Sequence, residues 1–574
     1  MISNFTRFLL VISFYVPFSI LAQDCEPPSA IINFEANKVR SKLSHGGSLW
    51  WNKNFAGFAV PKDNNPQFDV NAFYAAGIWI GGLDPGGNLK LAGATYGQAS
   101  GKVDYWPGPL NANGGTGAVD CYNWDRFFRT TKDEIDLHQM NLQEMANGNL
   151  NYTKDLIPES IKAWPANGNP YFEEENGFSL PSDNLNFTDF YDANGNGTYE
   201  PLEGDYPALI PASCGIAVVP DEMIYWVFND NGSVHEETNG DAIGAEFHAL
   251  AFAFETGGAL DNTQFYRYKL VNKATEDITD SRIGLWIDPD LGCPVDDYIG
   301  CDTARSLMYV YNKDNEDDFV CPGINSYGQV IPIAGVDFLG IQRAEQFPAI
   351  RPMDVFSIYN TSSINDPAPR QAVQFYNLLN GRKADGQVFQ NPNNEPVRFN
   401  YYDPPNCEDA DCWSMCKENT PQGDFRTIQA TGQFTLKPFE TIELYFANVF
   451  VPNQTYPCPD LTEFFEVDNI VQEAYDNCFQ SLSPVKESVS YFDINVFPNP
   501  VHKGTKSVRI DGVKGGDVIM IYDLQGKMVY KSGQVLNGNT TLNLENIHLN
   551  PGLYLLHIKR NKFSIAVEKL VFLD

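Results

Sequence analysis

Phe265-Tyr266-Arg267-Tyr268-Lys269-Leu270-Val271 alternates side by side along the chain, with Tyr266, Tyr268 and Leu270 on one side and Arg267 and Lys269 on the other. A period of two is strand geometry, since successive side chains point to opposite faces. Arg282-Ile283-Gly284-Leu285-Trp286-Ile287 repeats the pattern after the polar turn Asn272–Asp277. The same grammar returns in Gln433–Leu436, a turn at Lys437-Pro438, and Ile442–Ala447. Upstream, Ala75–Gly82, the turn Asp84-Pro85-Gly86-Gly87-Asn88 and Leu89–Ala92 read as a hairpin. Ser48-Leu49-Trp50-Trp51 is a further aromatic strand candidate. Helical spacing is strongest over residues 132–147, where Ile135, His138, Leu142 and Met145 share a face before Gly148. His138 there reads as a packed histidine. A second helix is expected around Leu461–Gln480. No fixed-period repeat signals a solenoid or propeller.

The fold class expected is mainly β: a large multi-sandwich body with a few helices and a C-terminal Ig-like antiparallel sandwich. Composition agrees, with 46 Gly, 37 Pro, 28 Tyr and 39 Phe in 574 residues. The expected organisation is a signal peptide at 1–22 and a β-rich region at 23–210, with a helical insert and a calcium-type loop. A second sandwich-like region at 211–480, a linker at 481–490 and a terminal domain at 491–574 complete it.

The formal net charge of −34 disfavours nucleic acid and anionic lipid as partners. From Tyr491 onward ten Lys/Arg face seven Asp/Glu, so the acidity belongs to what precedes it. Arg7, the apolar run Phe8–Val16 and Ala22 have the form of a secretory leader, too short to span a membrane. Asp24 argues against lipid attachment at Cys25. Eleven cysteines in an exported chain imply disulfides with at least one thiol left over. Cys293 and Cys301 are expected to pair, closing a small loop. Cys407, Cys412 and Cys416 lack a nearby histidine and zinc spacing, and read as loop disulfides.

The C-terminal segment is compact, with about seven short strands broken by tight turns. Phe497-Pro498-Asn499-Pro500, Tyr522-Asp523-x-x-Gly526, Leu549-Asn550-Pro551-Gly552-Leu553-Tyr554 and Glu568-Lys569-Leu570-Val571 resemble, in order and spacing, the type A sorting domain of the type IX secretion system of Bacteroidota. The resemblance implies recognition by outer-membrane machinery. It also implies cleavage of the tag, with the cargo attached to surface lipopolysaccharide or released. Trp79–Gly82, Gly204–Pro207, Trp286–Gly292 and Asp297–Asp302 resemble blocks of large exported proteins carrying the same tag, a group that implies no reaction.

Two constellations could hold a metal. In Asp192-Ala193-Asn194-Gly195-Asn196-Gly197-Thr198-Tyr199-Glu200-Pro201-Leu202-Glu203, oxygens fall at loop positions one, three, five, seven, nine and twelve, with Thr198 offering its carbonyl. Calcium takes such hard oxygens, and Gly197 sits at position six as in a calcium loop. Asp288, Asp290, Asp296, Asp297 and Asp302 crowd fifteen residues and would repel one another without a cation. A solvated acidic loop and an acid–base carboxylate pair are the other readings of that cluster.

Enzyme signatures are incomplete. His235-Glu236-Glu237 lacks the second zincin histidine, no Gly-x-Ser-x-Gly elbow occurs, and no phosphate loop occurs. Glu246 and His248 share a strand face and read as a buried polar pair. The leading expectation is a calcium-stabilised binding or structural protein, secreted or surface-displayed, with a polysaccharide or protein ligand. The alternative is a secreted hydrolase acting on polysaccharide through paired carboxylates. Trp50 and Trp51 would suit sugar stacking in either case.

Overall fold

The computed structural model describes residues 24–181, 187–317, 321, 323–361, 367–421, 423–480, 482, 495–511, 513, 517–523, 527–534, 540–544, 547, 549–560 and 563–573. The expected leader at 1–22 and almost all of the expected linker lie outside these residues.

Two large sheets make the body. One runs in the order Val355–Asn360, Phe425–Ala430, Ile278–Asp288, Ala75–Leu83, Ser48–Leu49, Arg40–Ser44, Phe58–Ala59, Asn71–Phe73. The other runs Asp297–Asp302, Leu307–Asn312, Ile333–Arg343, Thr441–Val451, Phe265–Asn272, Ala245–Ala253, Glu222–Asn229, Trp106–Pro107. The neighbours on both paths are antiparallel. The mainly β expectation holds. The boundary expected at residue 210 does not separate two sheets, because Ala75–Leu83 pairs directly with Ile278–Asp288.

The hairpin Ala75–Leu83/Leu89–Gly93 forms as expected. The turn at 272–277 behaves differently. Phe265–Asn272 lies in one sheet and Ile278–Asp288 in the other, so the chain crosses the sandwich there. A second crossing links Phe434–Leu436 to Thr441–Val451. The crossings brace each other: Phe439 N donates to Asn272 O at 2.8 Å, Asn272 Nδ2 to Lys437 O at 3.0 Å, and Lys437 meets Asp277 at 2.6 Å.

Between the sheets lies one apolar core, in which Tyr266, Tyr268 and Leu270 pack as their alternation predicts. Trp50 is fully buried there and donates to the Tyr266 hydroxyl at 3.0 Å. Trp51 is buried as well, against Tyr96, so neither tryptophan is a sugar platform. On the outer face of the first sheet, helix Ala372–Leu379 covers Trp79 and Trp286 through Phe375, Leu378 and Leu379. Helix Thr462–Asp476 packs on Thr441–Val451.

The best helix of the sequence spans Lys132–Ala146 and begins with a reciprocal capping box between Thr131 and Glu134, which satisfies donors the first turn would leave open. His138 is packed, its Nδ1 2.7 Å from the Tyr152 hydroxyl and its Nε2 3.2 Å from Asp205 O.

The terminal segment has its own core, including Val508, Ile510, Ile519, Ile521, Leu556 and Leu570. A three-stranded sheet, Asn495–Phe497, Ser507–Asp511 and Thr540–Asn543, is accompanied by a five-stranded one. In the latter, Val501–His502 runs parallel to Phe563–Leu573.

Disulfides join Cys25 to Cys121, Cys214 to Cys478, Cys293 to Cys321, Cys407 to Cys412 and Cys416 to Cys458. The expected Cys293–Cys301 bridge does not form. Cys301 sits within strand Asp297–Asp302 as a buried free thiol, its sulfur turned to Asn400 O at 3.5 Å. That strand carries Cys301 away from Cys293, whose partner comes from the loop beyond the following strand.

Candidate functional site

The residues predicted to hold metal divide into separate environments. In the 192–203 loop, Asp192 accepts the N–H groups of Gly195 at 2.6 Å and Gly197 at 2.7 Å. Asn194 accepts from Asn196 N at 3.0 Å, and Asn196 accepts from Thr198 N at 2.7 Å while donating to Glu200 at 2.7 Å. Gly195 and Gly197 both take φ of 75°, the left-handed region that glycine enters without strain. Glu203 ends the 3₁₀ turn Pro201–Glu203. Asp205, which the sequence reading passed over as a ligand, clasps the loop: its buried carboxylate accepts Ala193 N at 2.8 Å and Glu200 N at 2.7 Å. Burial pushes Asp205 up to about 6 against those hydrogen bonds.

Asp288 and Asp290 come together with Asp424, a residue the sequence reading did not single out. Asp288 closes its strand, and its Oδ2 accepts from the Tyr96 hydroxyl. Its Oδ1 lies 2.8 Å from Arg426 Nη1 without hydrogen-bond alignment. Arg426 also donates to Tyr96 Oη at 2.6 Å and grips Asp424. Asp290 Oδ1 is buried with no hydrogen-bond donor among the described residues. Burial, with Asp288 adjacent, holds Asp290 well above the carboxylate range, and burial drives Asp288 up to about 7 despite Arg426. The two acids thus favour sharing a proton over carrying two charges.

Asp296 and Asp297 belong to a different corner. Asp297 Oδ2 accepts Leu291 N at 2.8 Å, and burial followed by the Asp296 charge raises it strongly. Asp296 lies near Asp317 and Cys293, but that sulfur is spent in a disulfide and offers no thiolate. Asp302 is elsewhere again, accepting Ala304 N at 2.8 Å and pairing with Arg305 at 3.1 Å. The five aspartates are therefore not one cluster. Strand Asp297–Asp302 carries its two ends to different neighbours.

Other titratable groups are packed. His235 Nδ1 lies 2.8 Å from Leu91 O and Nε2 2.6 Å from Asp230 O, so neither nitrogen faces an open position. Glu246 and His248 meet at 2.8 Å, as the strand register places them, and His248 Nδ1 lies 2.6 Å from the Tyr225 hydroxyl. Leu110 N and Lys273 complete this buried network at 2.6 and 3.4 Å from Glu246.

One open cleft, of about 690 Å³, lies on a different part of the body. Its walls come from the edge strand Val355–Asn360, the ribbon Phe389–Gln390/Pro396–Val397, and the disulfide-braced segment around Trp413. Among the described lining residues there is no carboxylate and one cation, Lys383.

In the terminal domain, Asn499, between Pro498 and Pro500, meets the closing strand. Asn499 Nδ2 donates to Lys569 O at 2.6 Å, and Asn499 Oδ1 accepts Val571 N at 3.0 Å. Leu570, between them, is buried in the domain core. Asp523 accepts Lys527 N at 2.9 Å across its turn, whose Gly526 lies outside the described residues. Gly552 begins the strand carrying Tyr554, whose hydroxyl donates to Asn550 O at 3.0 Å.

Residues 495–572 match the family described as a secretion system C-terminal sorting domain. The chain is thus sorted for secretion to the cell surface or the exterior, and no described helix is long and apolar enough to cross a membrane. No curated protein matches the chain. Among solved structures, a polysaccharide lyase aligns at 9% identity over 57% of this chain, which spans 34% of the lyase, with a TM-score of 0.17. PorZ, an essential surface component of the type IX secretion system of Porphyromonas gingivalis, aligns at 8% identity over 62% of this chain and 69% of its own, with a TM-score of 0.14. Dimeric latent PorU of the same organism aligns at 10% identity over 61% and 31%, with a TM-score of 0.12. These likenesses carry no argument about the body.

Proposed function

We propose that the chain is a cargo of the type IX pathway, whose body is a calcium-stabilised β protein with a binding or structural role outside the cell. The observation that carries this reading is the sorting domain, in which motif pieces some seventy residues apart are joined through Asn499. Outer-membrane machinery is its partner. After cleavage, the body is attached to surface lipopolysaccharide or released.

The acids of the body support a stabilising ion better than catalysis. A glycosidase places two carboxyl groups on either side of the bond it cuts. Here Asp288 and Asp290 touch each other, Arg426 and Tyr96 hold Asp288, and no described residue of the cleft is acidic. Calcium would be held by Asp192, Asn194, Asn196, the Thr198 carbonyl, Glu200 and Glu203. Glycines at the two positive-φ positions already curl that loop. The ion would supply charge neutralisation and cross-linking of the loop.

Deleting residues 491–574 tests the export reading. The truncated chain is expected to accumulate in the periplasm of a host with a type IX system. Normal levels at the surface or in the medium would overturn it.

A further inference from the structure

We infer that the cleft between the Phe389–Gln390 ribbon and Trp413 binds a short segment of neutral glycan. The inference names a ligand for the binding role proposed above and rests on that reading.

The volume, about 690 Å³, is within the roughly 300–1,000 Å³ typical of small-ligand sites. Its lining combines two chemistries. Half-buried Tyr401, backed by the buried rings of Phe389 and Trp413, supplies aromatic surface, and Gln387, Gln390 and Asn394 supply side-chain amides. Those three amides are exposed and make no side-chain hydrogen bond among the described residues. An amide donates through nitrogen and accepts through oxygen, so it can meet either role of a sugar hydroxyl. Of the three rings, Tyr401 is the one only half-buried, and it can turn apolar surface to the C–H side of a pyranose.

Charge narrows the choice of ligand. The body is strongly acidic, so a polyanion is repelled at long range. A cationic ligand would find no carboxylate among the described lining residues. A neutral polyol fits both conditions.

The walls are built to hold their shape. Trp413 packs against Tyr401 at 5.0 Å and edge-on to Tyr402 at 5.6 Å. Its backbone N–H donates to Asp403 at 2.7 Å, and the Cys407–Cys412 and Cys416–Cys458 bridges flank it. Across the cleft, the turn at the ribbon's tip is fixed by Asn391, which accepts Glu395 N at 2.9 Å and draws the Glu395 carboxylate to its own amide at 2.9 Å. A wall held before binding costs less ordering when a ligand arrives.

The test uses the purified full chain and titration calorimetry with cello-, manno-, malto- and chito-hexaose, with hexagalacturonate as the acidic contrast. At least one neutral hexasaccharide is expected to bind. Combined Gln387→Ala and Gln390→Ala, both exposed, should weaken it roughly tenfold or more without shifting the melting temperature, and Tyr401→Ala should weaken it in a variant shown to stay folded. No binding by any neutral probe at millimolar concentration, binding of hexagalacturonate alone, or full affinity in the double variant each overturns the inference. Export is read in cells and binding on the purified chain, so failure of one is distinct from failure of the other.

Discussion

Asn499 reaches across the terminal domain to Val571 and holds the closing strand from both sides, donating to Lys569 O at 2.6 Å and accepting Val571 N at 3.0 Å. The turn motif and the closing motif are therefore one structural unit, and Leu570 between them is pinned into the core.

Asn499→Ala removes both hydrogen bonds and should destabilise the isolated attachment of that strand by about 1–2 kcal/mol. The expected result in a type IX host is a fall in surface or medium protein with a matching rise in the periplasm. Unchanged fractionation would show that the machinery does not read this junction.

Cys293 and Cys321, not Cys293 and Cys301, should appear as one cross-linked peptide in a non-reduced map, with Cys301 alkylated only after unfolding. Removing the bridge by paired Cys293→Ala and Cys321→Ala should cost about 3–4 kcal/mol by loop-closure entropy, less any strain. A melting temperature unmoved by the double substitution contradicts this.

Calcium binding to the 192–203 loop stabilises only the folded state. With a dissociation constant of about 10⁻⁴–10⁻³ M, millimolar calcium should add roughly 0.4–1.4 kcal/mol. Asp192→Ala should abolish that increment, although it also removes the N–H acceptor for Gly195 and Gly197 and so lowers the calcium-free melting point slightly. Identical melting of the natural chain in calcium and in chelator would leave the loop a turn only.

Asp337, on strand Ile333–Arg343, and Asp468, on helix Thr462–Asp476, are both buried and adjacent, with Arg305 and Asp302 beside them. Burial raises Asp468 from 3.8 to about 7, Arg305 opposing, and burial with the Asp468 charge holds Asp337 well above its ordinary value. The folded chain thus keeps protons that the unfolded chain releases above about pH 4. This contribution is greatest below that pH and is lost as pH rises through about 7, at up to about 1.4 kcal/mol per pH unit for each extra proton held. Asp468→Asn should flatten the decline in urea midpoint between about pH 4 and pH 7. An equal slope in the variant would mean that the pair does not hold the extra proton.

Local pattern revealed local structure well. Alternation gave Phe265–Asn272, the Asp84–Asn88 turn gave its hairpin, and Thr131 with Glu134 starts the helix whose apolar face was plain. A turn such as 272–277, however, looks the same whether its strands pair or part to opposite sheets; that is decided by contacts with Lys437 and Phe439, far along the chain. Trp50 and Trp51 looked available because burial of a tryptophan leaves no mark on its neighbours in sequence. Asp424 and Asp205 were missed as partners because each acts on residues from another strand or the far end of a loop. The cleft was invisible for the same reason, being assembled from three separated segments.

Strand Thr441–Val451 lies between Phe265–Asn272 and Ile333–Arg343 in its sheet, and Cys478 bonds to Cys214 across a separation of 264 residues. During synthesis the body cannot close until nearly all of it has emerged, because its central rung and its longest bridge come late. The sorting domain comes later still. A chain halted partway therefore lacks a finished sheet and the sorting domain together.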